Sequence, residues 1–207
     1  MIARMVRGFG LLATLAAAAA ALAAAPVEED PDQLWLKGRL LVATGDLEDP
    51  NFQKSVVYLI QHSAEGAMGL IVNRRVAVGP LNRLLEVLGH EARGSDTREI
   101  ALYDGGPVSR GRALLLHSDD YASDDTVTLG DGLALSVPDA ALDAIAAGKG
   151  PGSSLLVLGH AGWAPGQLEQ EIAQGAWYVV DSDPSLVLDR DVALKWQRAL
   201  ARRGQDL

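Results

Sequence analysis

Residues 159–172, Gly-His-Ala-Gly-Trp-Ala-Pro-Gly-Gln-Leu-Glu-Gln-Glu-Ile, have the composition of a turn that presents backbone amides to a ligand. An apolar run precedes the segment and a helical pattern follows it, so its glycines fall at a predicted strand–turn–helix corner, where N–H groups can meet an anion or a carboxylate. The corner also invites comparison with a nucleophile elbow, but Ala161 stands in place of the serine and Trp163 in place of the last glycine. We therefore expect either an amide-lined binding turn or a tight structural turn covered by Trp163, and no serine hydrolase.

Acid–base candidates lie in the helix predicted after this turn, over residues 165–174. Leu168 and Ile172 are four residues apart and should face the core, while Gln167 and Glu171 share a neighbouring polar face. A hydrolase or transferase with Glu171 as general base is one functional hypothesis. It would use His160 as a partner, and Asp104 is the alternative base.

The glycine pair, the absence of cysteine and the spacing of the histidines argue against phosphate-loop and metal chemistry. Gly105 and Gly106 follow a predicted strand and form either a turn or a close-packed crossing, because the lysine of a phosphate-binding loop is missing. The chain has no cysteine, and its four histidines lack the spacing of metal ligands. We predict no catalytic residue, no metal and no cofactor.

The charge balance argues against a nucleic-acid partner. The chain has 18 Lys+Arg against 27 Asp+Glu, a formal net charge of −9, whereas nucleic-acid binding needs a surplus of cations on one face. Lys195, Arg198, Arg202 and Arg203 lie around Trp196 near the C-terminus. We interpret them as cations that complement the dipole of a final helix.

The elements that must position these residues can be predicted from hydrophobic patterns. Apolar runs between Gly, Pro and Asp residues predict strands over residues 40–44, 56–61, 69–73, 100–103, 113–117, 126–129, 133–135, 155–158 and 177–180. Helices are predicted over residues 81–88, 165–174 and 192–203, and another is predicted to end at Ala147 after a capping box formed by Ser136 and Asp139. This mixture of hairpins and helices is typical of an α+β fold.

The first 25 residues differ from the rest of the chain. Arg4 and Arg7 are followed by an uncharged, alanine-rich stretch that ends in Ala-Ala-Ala, the pattern of a secretory signal peptide cleaved near Ala25. We predict an exported, periplasmic protein with residues 26–37 as a linker and no stable membrane span after leader removal. An uncleaved membrane anchor, or a start codon misplaced ahead of a cytoplasmic protein, are the alternatives.

Five ordered motifs together resemble the YqgE/AlgH family of bacterial proteins. The resemblance covers about residues 38–204, and we expect residues 38–207 to form one domain. The motifs are Gly-Arg-Leu-Leu-Val-Ala-Thr at 38–44, Asp-Pro-Asn-Phe at 49–52 with Ser-Val-Val at 55–57, Gly-Ala-Met-Gly-Leu-Ile-Val-Asn at 66–73, Gly-Gly-Pro-Val at 105–108, and Gly-Trp-Ala-Pro-Gly-Gln-Leu-Glu at 162–169 with Glu171, Trp177 and Lys195-Trp196.

This resemblance implies a compact α+β fold with a mixed, partly barrel-like sheet flanked by helices, and no established catalytic residues. Family members are usually leaderless cytoplasmic proteins, so the leader of this chain is a departure. They are often called transcriptional regulators because of a genetic link to alginate production. That link does not establish contact with DNA, and we expect no direct contact with nucleic acid.

The functional hypothesis that we favour is a non-enzymatic regulatory or binding module. It would bind a small ligand, or a protein or peptide segment, on a surface built from polar and glycine-rich loops. The surface requires these loops to converge in space, and its predicted residues are Asp49, Pro50, Asn51, Phe52, Asn73, Gly105, Gly106, Pro107, Gly162, Trp163, Gly166, Gln167 and Glu171.

Overall fold

The apolar runs of the sequence form one ten-stranded sheet in the computed structural model, which describes residues 35–87 and 99–203. The predicted leader, and the linker up to residue 34, lie outside the described residues. The strands are β1 (Leu40–Ala43), β2 (Val56–Ser63), β3 (Gly66–Ile71), β4 (Arg75–Pro80), β5 (Glu99–Asp104), β6 (Val108–Ser118), β7 (Thr126–Gly130), β8 (Leu133–Ser136), β9 (Ser154–Trp163) and β10 (Trp177–Val180).

Five helices accompany these strands in the described part of the chain. They are α1 (Leu81–Val87), α2 (Pro138–Ala146), α3 (Gln167–Ala173), α4 (Pro184–Val187) and α5 (Lys195–Leu200). None of the helices in this part of the chain is long and apolar enough to cross a membrane.

The sheet is mixed and curls into a half-barrel, which confirms the predicted α+β class. Its strand order is β10-β1-β2-β3-β9-β6-β8-β7, and the antiparallel pair of β4 and β5 joins β9 through β5. The β5–β9 pairing is parallel, and the other strand pairings are antiparallel. Strand β9 thus pairs with β3, β5 and β6, and it connects the two halves of the sheet.

Both faces of the sheet are buried around β1, which explains its uninterrupted apolar sequence. Leu40 and Val42 belong to a core closed by α4 and α5, whereas Leu41 and Ala43 face a second core closed by Leu168 of α3. A third apolar cluster lies between α1, α2 and strands β5, β6 and β9. The period-two alternation of a strand is what sends consecutive residues of β1 into different cores.

Several predicted element boundaries are wrong for local reasons. Strand β4 was not predicted, because its Val76 and Val78 are exposed and it pairs only with β5. Helix α2 has Val137 as its N-cap without a side-chain cap, so the capping box does not form. Ser136 instead ends β8, where its Oγ lies 2.9 Å from His117 Nε2 and 2.8 Å from Thr126 Oγ1.

The folded structure begins before Gly38. Leu36 is buried, and its N–H donates to His62 Nδ1 at 3.0 Å. This bond places the ring proton on Nε2, which donates to Glu169 Oε1 at 2.7 Å, while Trp35 packs edge-on against the imidazole. The end of the segment assigned to the linker is thus packed against β2 and α3.

A close backbone crossing joins the β5–β6 turn to β9. Gly105 donates to Leu158 O at 2.7 Å, and its own carbonyl accepts from Ile71 N–H at 3.0 Å. A Cβ on Gly106 would overlap the backbone of His160, and one on Gly105 would overlap Gly159. Gly106 also has a φ of +141°, which side chains rarely adopt. Of the two readings of the glycine pair, the close-packed crossing is therefore the one that forms.

Replacing Gly106 with alanine should lower the free energy of unfolding by about 3 kcal/mol or more, because backbone must move to admit the methyl group. Gly111→Ala is the matched control, since a Cβ there meets nothing within 4 Å. Its effect should stay below about 1 kcal/mol. Urea denaturation followed by circular dichroism measures both, and equal stability of the two variants would show that the crossing is not tightly packed.

Candidate functional site

The loop at residues 49–54 is built by local hydrogen bonds around Asp49. Its carboxylate accepts from Asn51 N–H at 2.8 Å, and its carbonyl accepts from Phe52 N–H at 2.9 Å. Lys54 closes the loop in a left-handed conformation with φ of +54°. The loop is therefore a turn held by its own hydrogen bonds, with Pro50 exposed.

Asn73 fixes this loop to the sheet. Its Oδ1 accepts from Val56 N–H at 2.8 Å, and its Nδ2 donates to Lys54 O at 2.8 Å. Both polar ends of the amide therefore bond backbone groups at the entrance to β2. Asn73 positions the loop, and these bonds leave it little capacity to contact a ligand directly.

Two arginines, Arg74 of the β3–β4 connection and Arg110 of β6, meet at Asn51. Arg74 Nη1 donates to Asn51 O at 2.7 Å and lies 3.7 Å from Asp104 Oδ2. Arg110 Nη2 donates to Asn51 Oδ1 at 3.3 Å. Side chains from the 49–54 loop, the β3–β4 connection and β6 therefore share one patch of surface.

Strand β6 carries Arg110 on a pronounced bulge. Val108 pairs with His160 and Ala113 with Leu158, so the four residues 109–112 of β6 lie opposite a single residue of β9, Gly159. Ser109 has a φ of +52°, and residues 108–112 are exposed. Bulges re-aim side chains and are common beside functional sites. Here the bulge presents Arg110 and Arg112 to solvent, and we call the 49–54 loop, Arg74 and the 109–112 bulge the arginine face.

His160 lies at the base of this bulge and is half-buried. Burial, with a smaller contribution from the Arg112 charge, lowers the pKa of His160. The exposed Gly162 lies beside it, because a Cβ at Gly162 would fall 3.6 Å from Val108 Cγ2 and 3.9 Å from His160 Cδ2. The C-terminal part of β9 thus borders the arginine face.

Gly105 and Gly106 do not present amides to solvent, since both residues are buried in the crossing. The Gly106 N–H is directed to Asp104 Oδ1 at 3.2 Å, and Asp104 in turn contacts Arg74. Pro107, which follows them, is exposed. The two glycines therefore shape the site without lining it.

Glu171 is the centre of a separate, internally satisfied cluster. Its Oε2 accepts from Trp163 Nε1 at 2.9 Å and from Trp177 Nε1 at 2.8 Å, and its Oε1 accepts from Gln167 Nε2 at 2.8 Å. Phe52 packs against both indoles, with ring centroids 6.0 Å from Trp163 and 5.6 Å from Trp177. Donors occupy both carboxylate oxygens, and His160 is not among them.

The expected turn at residues 159–163 is wrong. Strand β9 continues through Trp163, which pairs with Ala67, and its indole is buried. Helix α3 begins only at Gln167, after Gly166 at the N-cap with φ of +74°. The turn is therefore shorter than predicted, and residues 161–163 of β9 pair with β3.

The predicted surface thus converges only in part. Asp49, Asn51 and Phe52 come together with Asn73, and the crossing glycines position the neighbouring bulge. Phe52 also links this region to Trp163, Gln167 and Glu171, but these side chains bond one another. A Cβ at the exposed Gly166 would meet nothing within 4 Å, and this residue joins neither group.

Sequence reasoning did not identify the arginines as site residues. Arg110 and Arg112 belong to a Ser-Arg-Gly-Arg stretch, whose two cations in an acidic chain were the available signal. Neither makes an ion pair with a carboxylate in residues 35–87 or 99–203.

Lys195 is a buried residue that links two elements of the fold, not a cation that complements a helix dipole as the sequence indicated. It is the first residue of α5 and is fully buried, and its Nζ donates to Val72 O at 2.8 Å and Val187 O at 2.9 Å. Burial lowers the pKa of Lys195 to about 7, although the Asp189 carboxylate opposes the shift. The interpretation of this residue as a dipole-complementing surface cation is wrong, because it joins the β3–β4 connection to α4.

A polar concavity lies apart from the arginine face and is lined by other residues. It has a volume of about 440 Å³ and contains an ion pair between Arg39 and Asp181. Its lining residues are Lys37, Gly38, Arg39, Asp131, Asp181 and Ser182. Two cations, Lys37 and Arg39, balance two anions, Asp131 and Asp181, in this lining. The arginine face, in contrast, has more cations than anions.

The fold and this arrangement define an α+β protein with a curled sheet, and comparison with known proteins identifies its family. Residues 40–207 match the AlgH-like family model, DUF179, so the chain belongs to the AlgH-like family. A UPF0301 protein of Methylococcus capsulatus is 45% identical over 170 residues, which is 82% of this chain and 92% of the relative. Another from Caulobacter vibrioides is 46% identical over 178 residues, covering 85% and 91%.

Two solved structures share the fold. The solution structure of AlgH from Pseudomonas aeruginosa has a TM-score of 0.70 and 36% identity, covering 87% of this chain and 92% of that one. A crystal structure from Corynebacterium diphtheriae has a TM-score of 0.66 and 25% identity, covering 84% and 90%. The resemblance based on sequence motifs is therefore confirmed.

Glu171→Gln should lower the free energy of unfolding by about 2 kcal/mol, because an amide places N–H groups against donors that now share a carboxylate. Tryptophan fluorescence should change as well, since both indoles lose an ionic acceptor. Chemical denaturation measures the stability. The matched control is Glu65→Gln in the exposed β2–β3 turn. A Glu171→Gln variant as stable as this control would contradict the structural role.

Lys195→Met should destabilise the protein most at high pH. The substitution leaves two buried carbonyls without donors, at a cost of about 2–4 kcal/mol. The unfolded lysine binds its proton near pH 10.5 and the folded one only near pH 7, so wild-type stability falls as the pH drops through this range. The variant lacks this dependence, and its deficit should shrink toward pH 7.

Urea denaturation at several pH values between about 7 and 10 measures this deficit. Lys149→Met, at an exposed lysine, is the control and should give a difference from wild type that does not change with pH. A deficit for Lys195→Met that is constant with pH would show that the buried amine keeps its proton.

Proposed function

We propose that this AlgH-like protein is a non-enzymatic binding module that contacts a partner through the arginine face. The observation that carries the proposal is the convergence of Arg74 and Arg110 on Asn51, beside a bulge that holds Arg112 in solvent. Loops held by a rigid scaffold are the usual place for binding residues. Here Asn73 and the glycine crossing supply that scaffold.

Backbone strain supports the choice of this face. Lys54 and Ser109 have φ of +54° and +52°, and they are two of the three non-glycine residues with positive φ in the described part of the chain. Such conformations cost free energy and cluster at binding and catalytic sites. Both lie in segments that form the arginine face.

A catalytic role for Glu171 and His160 has less support. A general base needs a free lone pair and a partner within hydrogen-bond reach. Glu171 instead accepts three N–H groups from the side chains that pack around it. We therefore assign it a role in holding α3 against the sheet. Because the leader resembles a signal peptide, we also propose that the protein acts outside the cytoplasm.

Site-specific photocrosslinking tests the proposed surface. A benzoylphenylalanine at Gly111, where a side chain meets open space, should give a discrete adduct when the protein is produced in its native host. The same probe at the exposed Lys149 is the control and should give none. Arg110→Glu with Arg112→Glu should abolish the adduct while leaving the thermal unfolding temperature unchanged.

The periplasmic and cytoplasmic fractions are analysed separately, so the experiment also locates the interaction. No adduct from Gly111, or the same adducts from both positions, would contradict a binding role for this face. An adduct confined to the cytoplasmic fraction would keep the surface and overturn the proposed site of action.

A further inference from the structure

We propose that the partner of the arginine face is an acidic peptide segment, whose carboxylates are bound by Arg110 and Arg112. This inference rests on the proposed function and specifies the chemistry of the partner. Guanidinium groups bind carboxylates through two parallel N–H···O bonds, which gives both attraction and orientation.

Arg110 and Arg112 have no carboxylate partner within the described residues. Arg39, Arg83, Arg198 and Arg202 form ion pairs with nearby carboxylates, and Arg74 lies near Asp104. Arg75, Arg190 and Arg203 also lack an ion pair in this part of the chain, but Arg75 donates to the Arg190 carbonyl and Arg203 packs over the Tyr178 ring. Arg110 and Arg112 differ from these in lying together on one exposed bulge. Within the described residues Arg110 has a single long bond to Asn51, and Arg112 makes no ion pair. Their remaining N–H groups stay available to an incoming anion.

The net charge of −9 makes this local cationic surface distinctive. An acidic segment would be repelled by most of the molecule and attracted here, so its approach would be steered to the bulge. The charge contrast thus provides specificity as well as attraction.

The shape of the bulge suits an extended chain. Arg110 and Arg112 are two residues apart in the exposed bulge, and alternate residues of an extended peptide lie about 7 Å apart, a spacing that two long guanidinium side chains can span. A Cβ at Gly111, between them, would meet nothing within 4 Å, so a peptide can approach the backbone there. His160, kept neutral near pH 7 by its lowered pKa, can offer one N–H and one acceptor beside them.

A peptide fits these charges better than a nucleic acid does. Tight nucleic-acid binding neutralises about six to ten phosphates, whereas the bulge provides two unpaired arginines. Asp49 within the arginine face and Asp104 beside it would repel a continuous phosphate backbone. A segment with two or three carboxylates could place each one on a guanidinium and avoid both aspartates.

Fluorescence anisotropy with a labelled peptide tests the inference. The probe is an eight-residue peptide of alternating glutamate and glycine, and a glutamine–glycine peptide of equal length is its neutral control. We expect saturable binding of the acidic probe at low salt, weakening as salt is added. Arg110→Glu with Arg112→Glu should weaken it about tenfold or more.

Two comparisons separate site recognition from bulk charge. Lys37→Glu with Lys149→Glu changes the net charge by the same amount and should leave the affinity within about twofold. Arg110→Lys with Arg112→Lys keeps the charge but removes the forked donors, and should weaken binding by a smaller factor than charge reversal does.

The inference fails if the acidic peptide does not bind, if both charge-reversal pairs weaken it equally, or if a single-stranded oligonucleotide binds more tightly at the same salt. The crosslinking at Gly111 distinguishes these failures from failure of the proposed function. A specific adduct without peptide binding would keep the surface and overturn the acidic partner. Absence of both would overturn the surface itself.

Discussion

The contact between the β5–β6 turn and strand β9 is the constraint on which most of this structure depends. The backbone of the turn passes over the backbone of β9 at Gly105, Gly106 and Gly159. Any side chain at Gly105 or Gly106 would overlap the backbone of β9. Because β9 also pairs with β3, β5 and β6, the crossing fixes where the two halves of the sheet meet. It also fixes where β6 resumes its pairing, and therefore where the 109–112 bulge leaves the sheet.

One buried and two partly buried polar side chains hold neighbouring elements together. Asn73 joins the 49–54 loop to β2, Glu171 joins α3 to Trp163 and Trp177, and Lys195 joins α4 to the β3–β4 connection. A polar group that folding removes from water costs free energy unless it is hydrogen-bonded, and each of these three has its partners. Their hydrogen bonds are used within the fold, whereas Arg110 and Arg112 of the bulge face solvent.

The sequence allowed the strands to be predicted wherever burial leaves an apolar pattern, as in β1, β2 and β10. It failed for β4, whose Val76 and Val78 are exposed, and for the capping box, because Ser136 bonds to His117 across the β6–β8 pair. The convergence of Arg74 and Arg110 on Asn51 could not be predicted. These contacts join positions 23 and 59 residues apart, and neither periodicity nor local propensity specifies such a distance.

Contact between the arginine face and an acidic partner is tested most directly by a titration of ¹⁵N-labelled protein followed by NMR. With the glutamate–glycine peptide as ligand, we predict saturable shifts of the Gly111 and Gly162 amides and of the Arg110 and Arg112 side-chain Nε–H signals. Resonances of Lys37 and Arg39, at the charge-balanced concavity, should remain in place. Shifts centred on that concavity, or shifts spread evenly over the protein, would contradict the account.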